Sequence, residues 1–434
     1  MTTAIAAAAA WRREYQRNLL IELVLLFGVG YNLVLALVNA NLFRVSPAMT
    51  YVAEFAVYGA CFAIGLWSLD RRKTAIVVSG LLFVVALALV RFMLAWQLDP
   101  KFLRDAIIPF AFLVLGMAYS GSLPKLFVRM AILVALVAAF ELAMPNVYGD
   151  VVNPKSYFVN ARGASEAGFW NQDSNLYVSA TRPGARNFLP SSMLPRASSV
   201  FIEPVTMGNF IIFFTAILCA FWRSLSLPKL VLSLGLVAFL IVASDGRLAA
   251  GTCVLMLLLT PFLRRFDQRL AFLLFLGVLL GGWLLVWATG TRAYDDNMLG
   301  RIFFTVFSVD HMSVQSWLGL DTASPYRYFD SGIAYFISSQ SLLGVLGFLL
   351  AFSFLLILPG SDGQLFKNLM IFAFALSLLV SNGYFSIKTA ALWWFACGCL
   401  WRLQATVAPP WASRPVMPAL PAQGRPNDDA VPIR

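Results

Sequence analysis

Charge is scarce in this sequence: Asp, Glu, Lys and Arg make up 12% of its 434 residues, while 60% are hydrophobic. A soluble domain carries about 25% charged residues, so the balance excludes that class and points to an integral membrane protein. Histidine occurs once, at His311. The five cysteines all fall inside apolar runs, which excludes a disulfide framework. Cys397 and Cys399 have no histidine or acidic neighbour with which to hold a metal. No G-x-x-x-x-G-K-[ST] motif is present, nor a soluble domain to carry one, so ATP bound by this chain is not expected to drive it. No strong internal repeat is visible, and no basic cluster alternates with exposed aromatics, which sets nucleic acid aside. The N-terminus lacks a cleavage-site arrangement, so the first apolar run is expected to remain as a span.

What is present is a succession of long apolar runs. Hydropathy predicts twelve membrane spans, near 19–41, 50–69, 74–96, 105–120, 126–144, 201–222, 228–243, 247–263, 270–289, 331–357, 365–381 and 385–402. The expected fold is therefore all-α, a polytopic domain over 1–402 followed by a Pro- and Ala-rich, disordered cytoplasmic tail over 403–434. With the N-terminus inside, the inner connections hold fourteen lysines and arginines. The short outer ones hold five: Arg44, Lys101, Arg104, Arg247 and Lys388. This asymmetry predicts cytoplasmic termini. Two outer segments, about 145–200 and 290–330, are too long to be mere connections. Their aromatics predict ordered, partly packed loops.

Four outer features carry candidate chemistry. Arg196 precedes Glu203-Pro204 and Gly208, where a loop meets a helix that should start at Pro204. Ser244-Asp245-Gly246-Arg247 is a tight turn in which Ser244 or Asp245 could cap the next helix. Arg247 then sits in the first helical turn, where the dipole disfavours a cation; facing inward, it would make an anion site with the free amides. Arg292, the pair Asp295-Asp296, Arg301 and His311 follow, His311 being an available base. Adjacent carboxylates such as Asp295 and Asp296 are most often a solvated turn. Last come Tyr326-Arg327-Tyr328-Phe329-Asp330-Ser331-Gly332 and a span containing Gly344 and Gly347, whose small residues suit close helix packing. Arg91 is expected to snorkel to the interface, and Glu54 and Glu141 to be structurally paired.

Arginine forks suit phosphates and aromatic faces suit sugar rings, a combination fitting a lipid-linked diphosphoryl sugar. The order Arg196, Phe201-x-Glu203-Pro204-x-x-x-Gly208, Ser244-Asp245-Gly246-Arg247, Arg301, Trp317-Leu318-Gly319, Asp330-Ser331-Gly332-Ile333-Ala334-Tyr335 and Gly344-Val345-Leu346-Gly347 resembles the bacterial Wzy-type polysaccharide polymerase and O-antigen ligase superfamily. Within it, the chain looks most like xanthan-type exopolysaccharide polymerases. The resemblance implies a glycosyltransferase C-like fold with two large periplasmic loops, in the bacterial inner membrane, working without cofactor or metal. It implies transfer of a growing glycan from undecaprenyl diphosphate to a lipid-linked repeat unit, alongside a chain-length regulator and a flippase of the same pathway. The residues that match the motifs are Arg196, Arg247 and Arg301 for diphosphate, with Glu203 as orienter or base; His311 and Asp330, read from the loop itself, are the further catalytic candidates. The alternatives are an O-antigen-type ligase, whose histidine motif His311 fits poorly, and a lipid-linked oligosaccharide flippase.

Overall fold

A computed structural model describes residues 2–97, 99–182 and 186–403, without the side chains of residues 2–10. The tail expected to be disordered lies outside the described residues from 404 onward. The described chain is helical throughout, with no strand. Its elements are α1 (Thr2–Asn41), α2 (Pro47–Gly65), α3 (Arg71–Ala95), α4 (Pro100–Ala118), α5 (Leu123–Ala143), α6 (Pro145–Val152), α7 (Pro154–Arg162) and α8 (Pro204–Phe221). They continue with α9 (Leu227–Ser244), α10 (Arg247–Arg265), α11 (Ala271–Thr289), α12 (Met298–Asp310), α13 (Val314–Trp317), α14 (Gly332–Leu350), α15 (Gly360–Leu378) and α16 (Ile387–Leu403).

Nine of the described helices are long and apolar enough to cross a membrane: α1, α2, α3, α5, α8, α9, α10, α11 and α14. Three of the expected spans correspond to α4, α15 and α16, which are 19, 19 and 17 residues long and carry buried polar groups. Local chemistry sets the boundaries. Asp70 and Asp99 cap α3 and α4, each accepting from a backbone N–H at 2.8 Å. Proline opens α2, α4, α5, α8 and α9, where its missing N–H costs nothing.

Helix α8 is the axis of the bundle, with 83% of its most apolar stretch buried, against 6% for the peripheral α3. Phe213 of α8 packs edge-on against Phe127 of α5 and Trp393 of α16, with ring centroids 4.6 and 5.0 Å apart. Helices α4 and α16 touch backbone to backbone: a β-carbon on Gly398 would lie 2.9 Å from the Leu113 carbonyl carbon. Only glycine permits that approach.

The first large loop is not a bare connection. It folds into α6 and α7 and buries Tyr148, Tyr157, Phe158, Phe169 and Leu176 in a core of its own against Ala36 and Val45. Away from it, an apolar groove of about 840 Å³ runs between α3, α4 and α14–α16.

Two expectations are corrected. Lys101 and Arg104 do not lie in a solvated connection but in α4, where Arg104 is 8% exposed. Arg91 does not snorkel; its guanidinium donates to the carbonyls of Gly319 (2.6 Å), Ser338 and Ser339.

Candidate functional site

The segment leading into α8 is held from three sides. The Arg196 N–H donates to the Ala180 carbonyl at 3.0 Å, and the Ala197 N–H to the Ala243 carbonyl at 2.9 Å. Glu141 of α5 is paired, but with amides and a hydroxyl rather than a cation. Its carboxylate accepts from the Ser198 and Ser199 N–H groups at 2.8 and 2.7 Å and from the Ser198 hydroxyl at 2.8 Å. Tyr148 donates to the Ser199 carbonyl at 2.8 Å. These bonds enforce left-handed backbone at Ser199 (φ 53°) and Ile202 (φ 54°). A β-branched side chain in that region costs on the order of 1–3 kcal/mol and persists only where its surroundings dictate it. The strained turn fixes where Arg196 and Glu203 point.

Arg196 points into a polar cavity of about 880 Å³ between the first large loop, α6 and the start of α10. Arg182, Arg186 and Arg247 line the same cavity, as do Asp150, Asp173 and Asp245. Two of these groups are structural. Arg186 caps the C-terminus of α9, donating to the Ala243 carbonyl at 3.0 Å and to Val242. Asp245, expected as a candidate cap for α10, instead has left-handed backbone and accepts from the N–H groups of Asn187 and Phe188. The residue at the head of α10 is Gly246, and no side chain caps that helix.

Of the three remaining cavity arginines, Arg182 is paired with Asp296, and Arg196 and Arg247 are the two without a carboxylate partner among the described residues. Arg196 is held by the Ser244 carbonyl, to which its Nε donates at 2.9 Å. Burial pushes its guanidinium down to about 10; nearby Asp245 opposes this, while Arg247, Arg182 and Arg186 reinforce it. It remains a cation at neutral pH, one short of negative charge. Arg247, in the first turn of α10, makes no side-chain hydrogen bond or ion pair among the described residues. Two converging arginines without a carboxylate at bonding distance form an anion site.

The second large loop closes against the first through Asp296. Its carboxylate pairs with Arg182 at 2.6 Å and with Arg301 at 2.7 Å. Burial alone would raise this carboxyl, but hydrogen bonds and charge from Arg301, then the charges of Arg182 and Arg247, hold it below the usual carboxylate range. Arg301 also meets Asp330 at 3.4 Å, and Asp330 accepts from the Tyr294 hydroxyl at 2.8 Å. Arg301 and Asp330 are thus brought together but do not line the cavity, from which they are separated by Arg182 and Asp296.

The remaining candidates lie elsewhere. Glu203 does not cap α8; its carboxylate pairs with Lys388 of α16 at 2.6 Å and accepts from Thr206 at 2.6 Å. Burial would raise it, yet the charge and hydrogen bond of Lys388, the Thr206 hydroxyl and the Arg162 charge together keep the carboxyl below its ordinary range. His311 is exposed at the end of α12, stacked on Phe307 at 4.1 Å with its Nδ1 2.9 Å from the Phe307 carbonyl. It does not line the cavity.

A second charged network escaped the sequence reading. Arg104 pairs with Glu54 at 3.0 Å and with Asp105 at 2.6 Å, while Tyr335 donates to Asp105 at 2.6 Å. Arg162, at the end of α7, reaches down to Glu54 at 3.3 Å and to Asn32 at 2.9 Å, pinning the first loop onto α1 and α2. The available signal was Lys101, Arg104 and Asp105 at helical spacing, with Glu54 inside an apolar run. Compared with models of protein families, with curated proteins and with solved structures, the chain matches none.

Proposed function

We propose that this chain is a membrane-embedded polysaccharide polymerase that extends a glycan carried on undecaprenyl diphosphate at the periplasmic face of the bacterial inner membrane. The observation that carries the reading is the convergence of Arg196 and Arg247 on one polar cavity, with no carboxylate bound directly to either. In the proposed reaction a hydroxyl oxygen of the lipid-linked acceptor attacks the anomeric carbon of the growing chain. The bond from that carbon to the diphosphate oxygen breaks, and the electron pair leaves with undecaprenyl diphosphate. The leaving group needs its developing charge neutralised rather than a strong acid, and fixed guanidinium groups supply that without reorganisation. The acceptor proton passes to a carboxylate. Asp150 and Asp173 line the cavity and form no ion pair among the described residues, so they are available for it. Glu203, ionised and tied to Lys388, serves on this reading to position the start of α8.

The family resemblance in the order of the motifs supports the same chemistry, and the abundance of lysine and arginine in the connections opposite the two loops supports the periplasmic placement. Helices α4, α15 and α16 would complete twelve spans and bring both termini to the cytoplasmic side.

The test is glycan analysis in cells lacking the chain and complemented with variants. Arg196→Ala and Arg247→Ala should each reduce long-chain product at least about 100-fold, as loss of a transition-state charge contact does. Single lipid-linked repeat units should accumulate at the outer face while protein levels hold. Wild-type chain length in both variants would overturn the site. Units trapped on the inner leaflet would indicate a transporter, and long lipid-linked chains lacking a final acceptor a ligase.

A further inference from the structure

Asp296 is an unusual partner for two arginines. It lies on the second large loop, its side chain is 41% exposed, and it is shared between Arg182 of the first loop and Arg301 of α12. Both arginine side chains are about one-third exposed, at 33% and 34%. This carboxylate does not cap α12: that cap is made by the next residue, Asn297, which accepts from the Gly300 N–H at 2.8 Å. Arg301 has a second anchor in Asp330, and among the described residues Arg182 has no ion-pair partner other than Asp296. Arg182 also lines the cavity beside Arg196 and Arg247, and the Arg247 charge acts on Asp296.

We infer that the Asp296 carboxylate is an internal stand-in for the substrate's diphosphate, holding Arg182 and Arg301 in place until the lipid-linked anion displaces it. A diphosphate carries more charge and more acceptor oxygens than one carboxylate, so the planar Arg182 fork favours it in exchange, while Arg301 keeps its Asp330 anchor. Arg182 thereby joins Arg196 and Arg247 as a ligand of the diphosphate, and Asp296 sets the affinity by competition. Because the Arg182–Asp296 pair bridges the two large loops, displacement would also free the second loop to admit the acceptor. The inference rests on the diphosphate reading of the cavity.

The test uses full-length protein in detergent, titrated calorimetrically with inorganic pyrophosphate. Asp296→Asn, which removes the competitor but keeps its shape, should bind roughly three- to tenfold tighter, the range expected on removing one or two partly exposed ion pairs. Asp295→Asn makes the same change in net charge at a carboxylate without an arginine partner, and should bind like wild type. Arg182→Ala should weaken binding, and Asp296→Asn should gain little in that background. An Asp296→Asn variant that binds no tighter than wild type, or no tighter than Asp295→Asn, would overturn the inference. If Arg247→Ala abolishes binding in that same experiment, the diphosphate reading survives its failure. If the wild-type chain and Asp296→Asn both fail to bind pyrophosphate, both readings fall together.

Discussion

The helix dipole disfavours a cation in the first turn of a helix and favours a carboxylate at its head, but either charge is costly when buried alone, and this chain sets one against the other. Lys388 lies in the first turn of α16, with only 7% of its side chain exposed, and Glu203 stands 2.6 Å away at the head of α8. Removing one member of such a pair leaves a buried charge without compensation, at a cost of about 3–5 kcal/mol. Lys388→Met should therefore lower the thermal midpoint in detergent strongly, and adding Glu203→Gln should recover most of the loss. A double variant no more stable than Lys388→Met would show that the pair is not what holds these helix ends. Since the Glu203 carboxyl is held below its unfolded value, its contribution is present at neutral pH and is lost as pH falls through the carboxylate range. Acid should accordingly destabilise the wild-type chain more steeply than Glu203→Gln. The same dipole argument that singles out Arg247 in the sequence applies to Lys388, but sequence alone cannot name the partner. Glu203 and Lys388 are separated by 185 positions, and only the packing of α8 against α16 makes them neighbours. Arg196 and Arg247 were legible because each stands near a loop-to-helix junction; Asp296 was visible as half of an acidic pair, but its partner Arg182 was an ordinary loop residue until the loops met.

At the scale of elements, hydropathy located the helices but was blind to their interruptions. The span expected over 331–357 is α14, and it breaks at Ser341, where φ is 64° and ψ 159°, before ending in a π-helical turn over Ala351–Leu355. That backbone region is essentially reserved for glycine, and a serine held there stores on the order of 1–3 kcal/mol. No proline or glycine marks the position, so an average over apolar residues passes straight across it. Arg91 makes the break tolerable by donating to the freed carbonyls of Ser338 and Ser339 and to Gly319 of the second loop. In a bilayer those carbonyls have no water to turn to. Ser341→Gly should stabilise the protein by about 1 kcal/mol, the relieved strain exceeding the Ser341 hydroxyl's bond from the Gly344 N–H at 3.2 Å. Arg91→Leu should destabilise it by at least about 2 kcal/mol, because three acceptors lose a charged donor. Thermal unfolding of the two variants in matched detergent checks both signs. A destabilised Ser341→Gly would mean the hydroxyl bond, not the strain, dominates the break.

For the whole molecule, the alternation of spans and basic connections predicted that the two large loops share one face, and the Arg182–Asp296 pair at 2.6 Å joins them there. What a bundle of helices does not reveal is which side of the membrane that face meets, since packing forces are the same on either side. The excess of lysine and arginine in the connections opposite the two loops predicts that the loops lie outside. A labelling experiment can decide it directly, because all five native cysteines are buried in the folded protein and should stay silent to a membrane-impermeant maleimide. Trp170→Cys reports on the first loop, where the native side chain is 59% exposed, and Arg223→Cys reports on the exposed turn between α8 and α9 at the opposite end. In intact spheroplasts Trp170→Cys should label at once, and Arg223→Cys only after the membrane is permeabilised. The reverse pattern would turn the arginine cavity toward the cytoplasm. There the lipid-linked chain would have to be extended before it crossed the membrane, and the periplasmic reaction proposed for Arg196 and Arg247 would have no access to its substrate.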